Sequence, residues 1–400
     1  MRFSMYSSLI LAAGLAWGSP ATAETHYDPG ASDTEIKIGI TAPLSGPASS
    51  YGVACAAHDA YFRKINEAGG VNGRKLTLIC HDDGFTPARA VEETRKLVES
   101  ENVLFVYNSL GTSVNTAVQP YLASKKVPQL LLNSGASKWN DPAKNPWATS
   151  SIPHYVSEAL IFARHIMANS PDAKVGLLYQ ADDYGRDYLN GLKAGFGDKA
   201  AQYLTATQSF QIADPTVESQ ILQLRGSGVD VVVLGALAKG AAQAIRKIGE
   251  LGWKPTIYLG WSSTGIDTVL TPAGLDYSKG IISTTVIKHP EDPTWKDDKN
   301  TIEYREFMKA YFPSGDVNSI SNVFAYATDD VLIDLLKRAG DNLTRDNIRD
   351  LAQHIDVQPR MYVPGIRFQT TPTDLDPIKS FQMVTFDGAK WNGSGEPIHP

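Results

Sequence analysis

Residues 35–81 read EIKIGITAPLSGPASSYGVACAAHDAYFRKINEAGGVNGRKLTLICH, and their pattern indicates the fold class. Its two ends, 35–41 and 75–81, are rich in β-branched residues that alternate with polar ones, as in β-strands. Between them, residues 51–68 have the length and amphipathic spacing of a helix, which Gly69 and Gly70 end. A strand, a helix and a second strand in this order predict two parallel strands joined by a crossover helix.

The same rhythm continues along most of the chain. Helices are predicted near 87–99 and 113–124, and strands at VLFVYN (103–108) and PQLLLN (128–133). A stretch rich in Trp, Pro and Ser near 138–153 interrupts this pattern. It then restarts with four strands: KVGLLYQ (174–180), LTATQSF (204–210), VDVVVLG (229–235) and TIYLGW (256–261). We therefore predict an α/β protein with two doubly wound lobes of similar size.

The last hundred residues are less regular. Helices are predicted near 300–311, 319–338 and 343–354, followed by strands near 361–369 and 380–386. Either lobe can receive two strands that come so late in the chain.

The first 23 residues have the features of an export signal. Arg2 precedes an apolar run from Leu9 to Trp17, and Ala21-Thr22-Ala23 has the small-x-small form of a signal peptidase site. The apolar run is too short to span a bilayer. We expect residues 1–23 to be a signal peptide and the mature protein to be periplasmic.

The net charge of −6 argues against nucleic acid and anionic membrane surfaces as partners. Motifs of enzymes are missing too: the sequence contains no GxGxxG, GxxxxGK[ST], HExxH or GxSxG. Its eight histidines are scattered, with no pair at metal-ligand spacing on a predicted helix. We therefore expect a protein that is not an enzyme and that has no cofactor and no metal site.

Three acidic clusters have more than one interpretation. His81-Asp82-Asp83 follows a predicted strand and suits either a metal or acid–base cluster or hydrogen bonds at the start of the next helix; we favour hydrogen bonds. Asp182-Asp183 and Asp329-Asp330 are interpreted as helix-start acids rather than as catalytic pairs.

The two cysteines, Cys55 and Cys80, are candidates for a disulfide, because an exported protein meets an oxidising compartment. Cys55 falls in the first turn of a predicted helix and Cys80 at the carboxyl end of the next strand, so both lie at one edge of the sheet. Two buried free thiols are the alternative.

The loops at the carboxyl ends of the strands predict where a ligand binds, because open parallel sheets bind ligands there. These loops are rich in Gly, Ser, Thr and aromatic residues. An anionic group fits near 111–113 and 135–137, where backbone N–H groups are expected to be free. A ring or aliphatic body fits between Tyr51, Tyr184 and Trp261.

Three motifs carry a resemblance to a known family: PLSGP (43–47), INEAGGVNGRKL (65–76) and DDYG (182–185). In them the chain resembles the branched-chain amino-acid-binding (Leu/Ile/Val-binding) family of type I periplasmic solute-binding proteins of ABC transporters. The likeness covers most of the chain and weakens after about residue 290.

The resemblance implies two Rossmann-like lobes joined by a three-strand hinge, with a small ligand trapped by hinge closure. Lobe I is then 34–152 plus 284–378, and lobe II is 153–283 plus 379–400. The implied partners are a small-molecule ligand and the membrane permease of an ABC transporter, and the protein is expected to be a monomer.

The family's binding positions can be carried over to matching residues. Tyr51 matches an aromatic residue that covers the ligand, and Tyr184 matches the tyrosine of the second lobe. The resemblance places the ligand carboxylate on two groups of small residues, and it places a second-lobe tyrosine at Leu237 or Ala238. The residues implied to hold the carboxylate are Thr112, Ser113, Ala136 and Ser137. Asp82, Phe85 and Tyr155 are further candidates for the border of the cleft.

The sequence departs from the family after the strand that ends at Trp261. Amino-acid binders place Glu or Asp there to neutralise the ligand's ammonium, whereas this chain has Ser262. Burying an ammonium without a counter-charge costs several kcal/mol. We therefore predict a carboxylate without an α-amino group, of the benzoate or hydroxycinnamate type, whose ring stacks on Trp261 and Tyr51.

Several alternatives remain open from the sequence. The ligand can be a branched-chain or other neutral amino acid, with Asp182 or Asp183 as the counter-charge, or urea or a short amide. Trp261 can instead be a core residue at a strand end. An exported α/β enzyme and a ligand sensor that feeds a regulator are alternative roles for the same cleft.

Overall fold

The computed structural model describes residues 26–400. The predicted signal peptide, residues 1–23, lies outside the described residues. The described chain contains two main β-sheets, each with helices packed against it, and we call each sheet with its helices a lobe.

The first lobe contains a sheet of five parallel strands. The strands are β1 Glu35–Ala42, β2 Lys75–Asp82, β3 Phe105–Tyr107, β4 Gln129–Leu132 and β5 Ala148–Ser150. Their spatial order is β2-β1-β3-β4-β5. Strands β3 and β4 are buried at every residue, which explains why their residues are apolar or aromatic apart from Gln129. The buried side chain of Gln129 donates a hydrogen bond to Asn115 Oδ1 at 2.7 Å.

The second lobe contains a sheet of seven strands. They are β6 Val175–Gln180, β7 Leu204–Phe210, β8 Val231–Gly235, β9 Thr256–Leu259, β10 Ile282–Thr285, β11 Phe381–Phe386 and β12 Trp391–Ile398. Their spatial order is β12-β11-β10-β9-β8-β6-β7. Strands β6 to β10 are parallel, and β11 and β12 each run antiparallel to the preceding strand.

The helices of eight or more residues number ten in the described chain. They are α1 Ala54–Glu67, α2 Pro87–Glu99, α3 Thr112–Ser124, α4 Tyr155–Asn169, α5 Asp183–Phe196, α6 Glu218–Gly226, α7 Ala238–Glu250, α8 Lys299–Tyr311, α9 Ile320–Ala339 and α10 Arg345–Ala352. Shorter helical segments include the 3-10 turns Ser49–Tyr51, Ser137–Asn140 and Trp261–Ser263. Within residues 26–400, no helix has the length and apolar character needed to cross a bilayer.

The chain passes between the two sheets three times. It leaves the first sheet after Ser150, leaves the second after Thr285 and re-enters the second at Phe381. Between the last two points, α8 and α9 pack on the first lobe, where the ring of Phe307 lies 5.7 Å from that of Tyr61 in α1. These elements confirm the predicted α/β class.

The C-terminal region differs from the prediction in two places. No long strand covers 361–369: within it only Phe368–Gln369 is a strand, because Pro364 and Gly365, with φ of +89°, turn the chain. Strand β12 was not predicted, because its Gly, Ser and Pro residues lack the composition of a strand. It pairs at the sheet edge, where such residues are tolerated.

The two cysteines form a disulfide at the edge of the first sheet. The Cα atoms of Cys55 in α1 and Cys80 in β2 lie 6.4 Å apart. Both side chains pack beside Ile40 and Ala42 of β1. The bridge therefore joins the first helix to the outer strand of the sheet.

Candidate ligand-binding cleft

A cavity lies between the lobes at the carboxyl ends of both sets of strands. It contains about 720 Å³ of empty space, including open solvent at its mouth. The first lobe contributes loops after its strands and the start of α3, and the second lobe contributes the loops after β6, β8 and β9. Helix α9 supplies a further wall through Ile320, Ser321, Phe324 and Ala325.

The start of α3 offers backbone hydrogen-bond donors to this cavity. Gly111 and Thr112 line it, and no side chain of the described residues caps the helix. The N–H groups of Thr112, Ser113 and Val114 precede the first intrahelical bond, which Asn115 N donates to Gly111 O. A helix N-terminus with free N–H groups favours a bound anion.

Gly111 is required for this arrangement. Its φ of +105° lies in the region that favours glycine. A Cβ atom at this position would lie 2.4 Å from the ring of Phe85, which lines the cavity beside it. Phe85 itself has a φ of +56°, and Asn108, another lining residue, has a φ of +46°. Such strained backbone tends to occur at functional sites.

Tyr51 lines the cavity and joins the two lobes. Its hydroxyl donates a hydrogen bond to the backbone oxygen of Ser262 at 3.0 Å. The hydroxyl oxygen of Tyr51 in turn accepts a hydrogen bond from the backbone N–H of Ala238 at 3.0 Å, at the start of α7. Burial raises the pKa of Tyr51 above its usual value, so the hydroxyl stays protonated.

Trp261 belongs to the cavity wall and to the core at the same time. Only 6% of the residue is exposed, and its ring lies 5.4 Å from that of Phe324 across the cleft. Its indole Nε1–H has no hydrogen-bond partner among the described residues. A buried indole N–H usually has a partner, so this donor is an exception among the residues that line the cavity.

Ser262 and Tyr184 lie beside each other on the second lobe. Both line the cavity, and their hydroxyl oxygens are 3.3 Å apart. Ser262 therefore presents a neutral group where the resemblance implies an acid. Leu237 lines the same wall.

Asp182 is the acidic residue that lines the cavity. It caps α5 by accepting a hydrogen bond from Gly185 N at 3.3 Å, as predicted, and it accepts another from Gln180 Nε2 at 2.6 Å. Burial raises the pKa of its carboxyl group. Gln180 also lines the cavity, and its buried Oε1 has no partner among the described residues.

Three of the predicted carboxylate-binding residues do not line the cavity. Ala136 is fully buried, and its N–H lies 3.4 Å from Ser134 Oγ. Ser137 donates from its backbone N–H and its hydroxyl to the carboxylate of Asp187, at 2.6 and 2.9 Å. The side chain of Ser113 lies outside the lining, although its backbone N–H belongs to the free start of α3.

Of the further candidates, Phe85 and Tyr155 line the cavity and Asp82 does not. Asp82 accepts hydrogen bonds from Ser45 N at 3.1 Å and Ser45 Oγ at 2.6 Å, and it pairs with Arg89 at 2.9 Å. For Asp82, the structure therefore agrees with the hydrogen-bonding interpretation of the His81-Asp82-Asp83 cluster. Among residues 26–400, no group of three or more His, Cys, Asp or Glu is placed to hold a metal ion.

A fully buried carboxylate supports Trp261 from behind, and sequence reasoning missed it. Glu158 in α4 accepts hydrogen bonds from Trp261 N at 2.9 Å and Thr284 Oγ1 at 2.6 Å. Tyr188 donates a third one to the other oxygen. Burial raises the pKa of Glu158 to about 7. In the sequence, Glu158 is indistinguishable from an ordinary acid in the first turn of a helix.

A second buried network holds Asn108 in the first lobe. Asn108 Oδ1 lies 3.3 Å from His58 Nε2, and His58 Nδ1 lies 2.8 Å from Asp329 Oδ1. Tyr107 also donates to Asp329 at 2.8 Å. The prediction that Asp329 and Asp330 start a helix is wrong, because both lie in the middle of α9, where Asp330 pairs with Arg360.

Comparisons with known proteins agree with this architecture. The sequence profile of the family "Periplasmic binding protein" matches residues 35–390. The Leu/Ile/Val-binding protein homolog 1 of Brucella abortus (strain 2308) is 24% identical over 345 residues, which cover 86% of each chain.

Two solved structures share the fold. One is a branched-chain amino acid ABC transporter protein from Thermus thermophilus with bound valine, with a TM-score of 0.81, 16% identity and coverage of 92% of this chain and 97% of that one. The other is a fatty acid ABC transporter substrate-binding protein from Thermomonospora curvata, with a TM-score of 0.79, 20% identity and coverage of 94% and 95%. The predicted fold class and family are thus confirmed, and the chain belongs to the periplasmic binding protein family.

Proposed function

We propose that this protein is the extracytoplasmic solute-binding protein of an ABC importer and that its ligand is a small aromatic carboxylate. The lobes close on the ligand about the three crossings, which divide the chain into lobe I (34–152 plus 284–378) and lobe II (153–283 plus 379–400). The closed protein, acting as a monomer, then delivers the ligand to a membrane permease.

The observation that carries this proposal is the pairing of an anion site with a neutral opposite wall. The free N–H groups at the start of α3 suit a carboxylate. Across the cavity, Ser262 stands where an ammonium would need an acid. A ligand with a negative group and no positive one matches both walls.

The aromatic side chains in the rest of the cavity lining favour a ligand that contains a ring. Tyr51, Phe85, Trp261 and Phe324 line the cavity from both lobes and from α9. Each well-placed pair of rings contributes about 0.5–1.5 kcal/mol beyond the area that it buries. Several aromatic walls around one cavity therefore favour a flat, aromatic body over a branched aliphatic one.

Two buried polar atoms that have no hydrogen-bond partner within residues 26–400 suit a substituent on that ring. Trp261 Nε1 offers a hydrogen-bond donor, and Gln180 Oε1 offers an acceptor. A hydroxyl group can accept from the indole or donate to the amide. Hydroxylated benzoates and hydroxycinnamates therefore fit this cavity better than an unsubstituted ring.

The similar proteins are named for more than one kind of ligand. The Brucella and Thermus proteins are named for branched-chain amino acids, whereas the Thermomonospora protein is named for fatty acids, which are carboxylates without an ammonium. The same fold thus occurs in proteins named for both kinds of carboxylate.

A neutral amino acid is the second candidate, and Asp182 is the observation in its favour. Its carboxylate lines the cavity and can face an ammonium. It already caps α5 and accepts from Gln180, however, and burial raises its pKa, which disfavours the charged form that an ammonium needs.

The test is calorimetric titration of protein that has been unfolded in guanidinium and refolded to remove any bound solute. We expect 4-hydroxybenzoate or 4-coumarate to bind without turnover, and leucine and urea to give no heat. Trp261→Ala should weaken the aromatic acid at least about tenfold, because it removes a stacking wall. Trp253→Ala is the matched control, since Trp253 lies in the second lobe outside the cavity. An unchanged affinity in Trp261→Ala would remove Trp261 from the ligand site.

A further inference from the structure

We propose that Asp187 is the anion that Ser137 binds in this protein, so that a carboxylate of the second lobe, rather than one from the ligand, holds the lobes together at this point. Asp187 is thereby a specificity-determining residue. It removes one anion position from the ligand site, and it lets the lobes close without a ligand.

The geometry of the contact is that of a bound carboxylate. Ser137 begins the 3-10 turn Ser137–Asn140 in the first lobe, and Asp187 lies on α5 in the second. One carboxylate oxygen accepts from Ser137 N at 2.6 Å, and the other accepts from Ser137 Oγ at 2.9 Å. Both oxygens are therefore used, each with its own donor. Charge-assisted hydrogen bonds of this kind are about twice as strong as neutral ones.

The environment distinguishes this contact from a surface ion pair. Asp187 is only 6% exposed, although Ser137, which lies outside the cavity lining, is itself exposed. One turn earlier on the same helix, Asp183 also reaches across to the first lobe, where it lies 3.3 Å from Lys138 Nζ. The side chains of that pair are 37% and 33% exposed, so water and salt weaken their attraction.

The contact limits where a ligand carboxylate can bind. The backbone and hydroxyl of Ser137 are the donors that the family resemblance implies for the ligand. With Asp187 bound there, a second carboxylate would meet a negative charge instead of free donors. The start of α3 remains as the anion site of the cavity, because no side chain of the described residues caps it.

The same contact changes what closure requires. In a protein whose lobes close only around a ligand, the ligand supplies the contacts that favour the closed state. Here the Asp187–Ser137 contact and the Tyr51 hydroxyl, which joins Ser262 O and Ala238 N, link the lobes directly. We therefore expect the ligand-free protein to populate the closed form.

Small-angle X-ray scattering on ligand-free protein, refolded from guanidinium, tests this inference. The scattering curve is fitted as a mixture of open and closed forms for the wild type, Asp187→Ala and Asp187→Asn. We expect Asp187→Ala to lower the closed-to-open ratio by about tenfold, because two hydrogen bonds to a charged group are lost and their desolvation cost is recovered. Asp187→Asn, which keeps one acceptor, should lie between the two.

Two further variants make the result specific. Asp183→Asn is the matched control, and it should leave the ratio within about twofold of the wild type, as expected for an exposed ion pair. Ser137→Ala removes one donor from the opposite lobe and should shift the ratio in the same direction as Asp187→Ala. A thermal melt checks that the wild type and Asp187→Ala are both folded. If they are, equal closed-to-open ratios in the two proteins would overturn the inference. The test uses no ligand, so its outcome is independent of the ligand proposed above.

Discussion

Replacing Glu158 with Gln should change how the stability of the protein depends on pH. Glu158 is fully buried behind Trp261, and its pKa is raised from 4.5 to about 7 by burial. The folded protein therefore binds a proton at this carboxyl group more tightly than the unfolded chain does. Its contribution to the free energy of unfolding is complete below about pH 4.5 and is lost as the pH rises through about 7.

The size of the loss follows from the two pKa values. A shift from 4.5 to about 7 corresponds to about 3 kcal/mol lost between pH 4.5 and pH 8. The amide of Glu158→Gln carries no charge at any of these pH values. Its oxygen can accept from Trp261 N and Thr284 Oγ1, and its nitrogen can donate to Tyr188 Oη. The variant should therefore match the wild type near pH 5 and be more stable by about 2–3 kcal/mol at pH 8.

Urea denaturation at pH 5, 6, 7 and 8, followed by tryptophan fluorescence, measures this difference. Other buried acids such as Asp187, whose pKa is raised to about 6, are present in both proteins and cancel in the comparison. Glu101→Gln, at an exposed position, is the control, and its free energy of unfolding should change with pH in the same way as that of the wild type. If the free energy of unfolding of Glu158→Gln also changes with pH in the same way as that of the wild type from pH 5 to pH 8, the buried carboxyl group does not titrate in this range.

Three further changes should have measurable effects. Gly111→Ala should lower the free energy of unfolding by at least about 2 kcal/mol and weaken ligand binding, because its φ is +105° and its Cβ would lie 2.4 Å from Phe85; normal stability in a melt would contradict this. Replacing both Cys55 and Cys80 with Ser should destabilise the protein by about 3 kcal/mol in urea, because the bridge closes a loop of sequence separation 25, and the loss should be matched by reduction of the wild type. Ser262→Glu should weaken an aromatic acid at least about tenfold in calorimetry and give leucine a measurable affinity, since it restores a counter-charge; leucine binding to the unchanged protein would contradict the premise.

The strands and helices with regular patterns were predictable from the sequence. The β1–α1–β2 unit has the alternation and spacing that its elements need, and the structure places them within a few residues of the prediction. Strand β12 was missed because its pairing with β11 at the sheet edge, not its own composition, makes it a strand. Strands β11 and β12 form a hairpin across residues 387–390, so the local signal lies in the turn residues Asp387 and Gly388 rather than in an alternating pattern within β12.

The residues of the candidate site also fall into those that could be predicted from the sequence and those that could not. Tyr51, Thr112, Tyr184, Trp261 and Ser262 were predicted from strand ends and from the family resemblance, and the structure brings all five to one cavity. The residues that sequence reasoning missed come from helices that are distant in the chain. They are Glu158 behind Trp261, Asp187 beside Ser137, and the α9 residues Ile320 and Phe324. Their roles depend on how helices pack against the two sheets, which amphipathic spacing alone does not specify.

The proposed ligand of this protein is a carboxylate without an ammonium. Calorimetry of refolded, ligand-free protein with 4-hydroxybenzoate and with leucine, under identical conditions, distinguishes this ligand from an amino acid. We expect saturable binding of 4-hydroxybenzoate and no heat from leucine, because Ser262 supplies no counter-charge. Micromolar binding of leucine with no response to the aromatic acid would contradict this expectation.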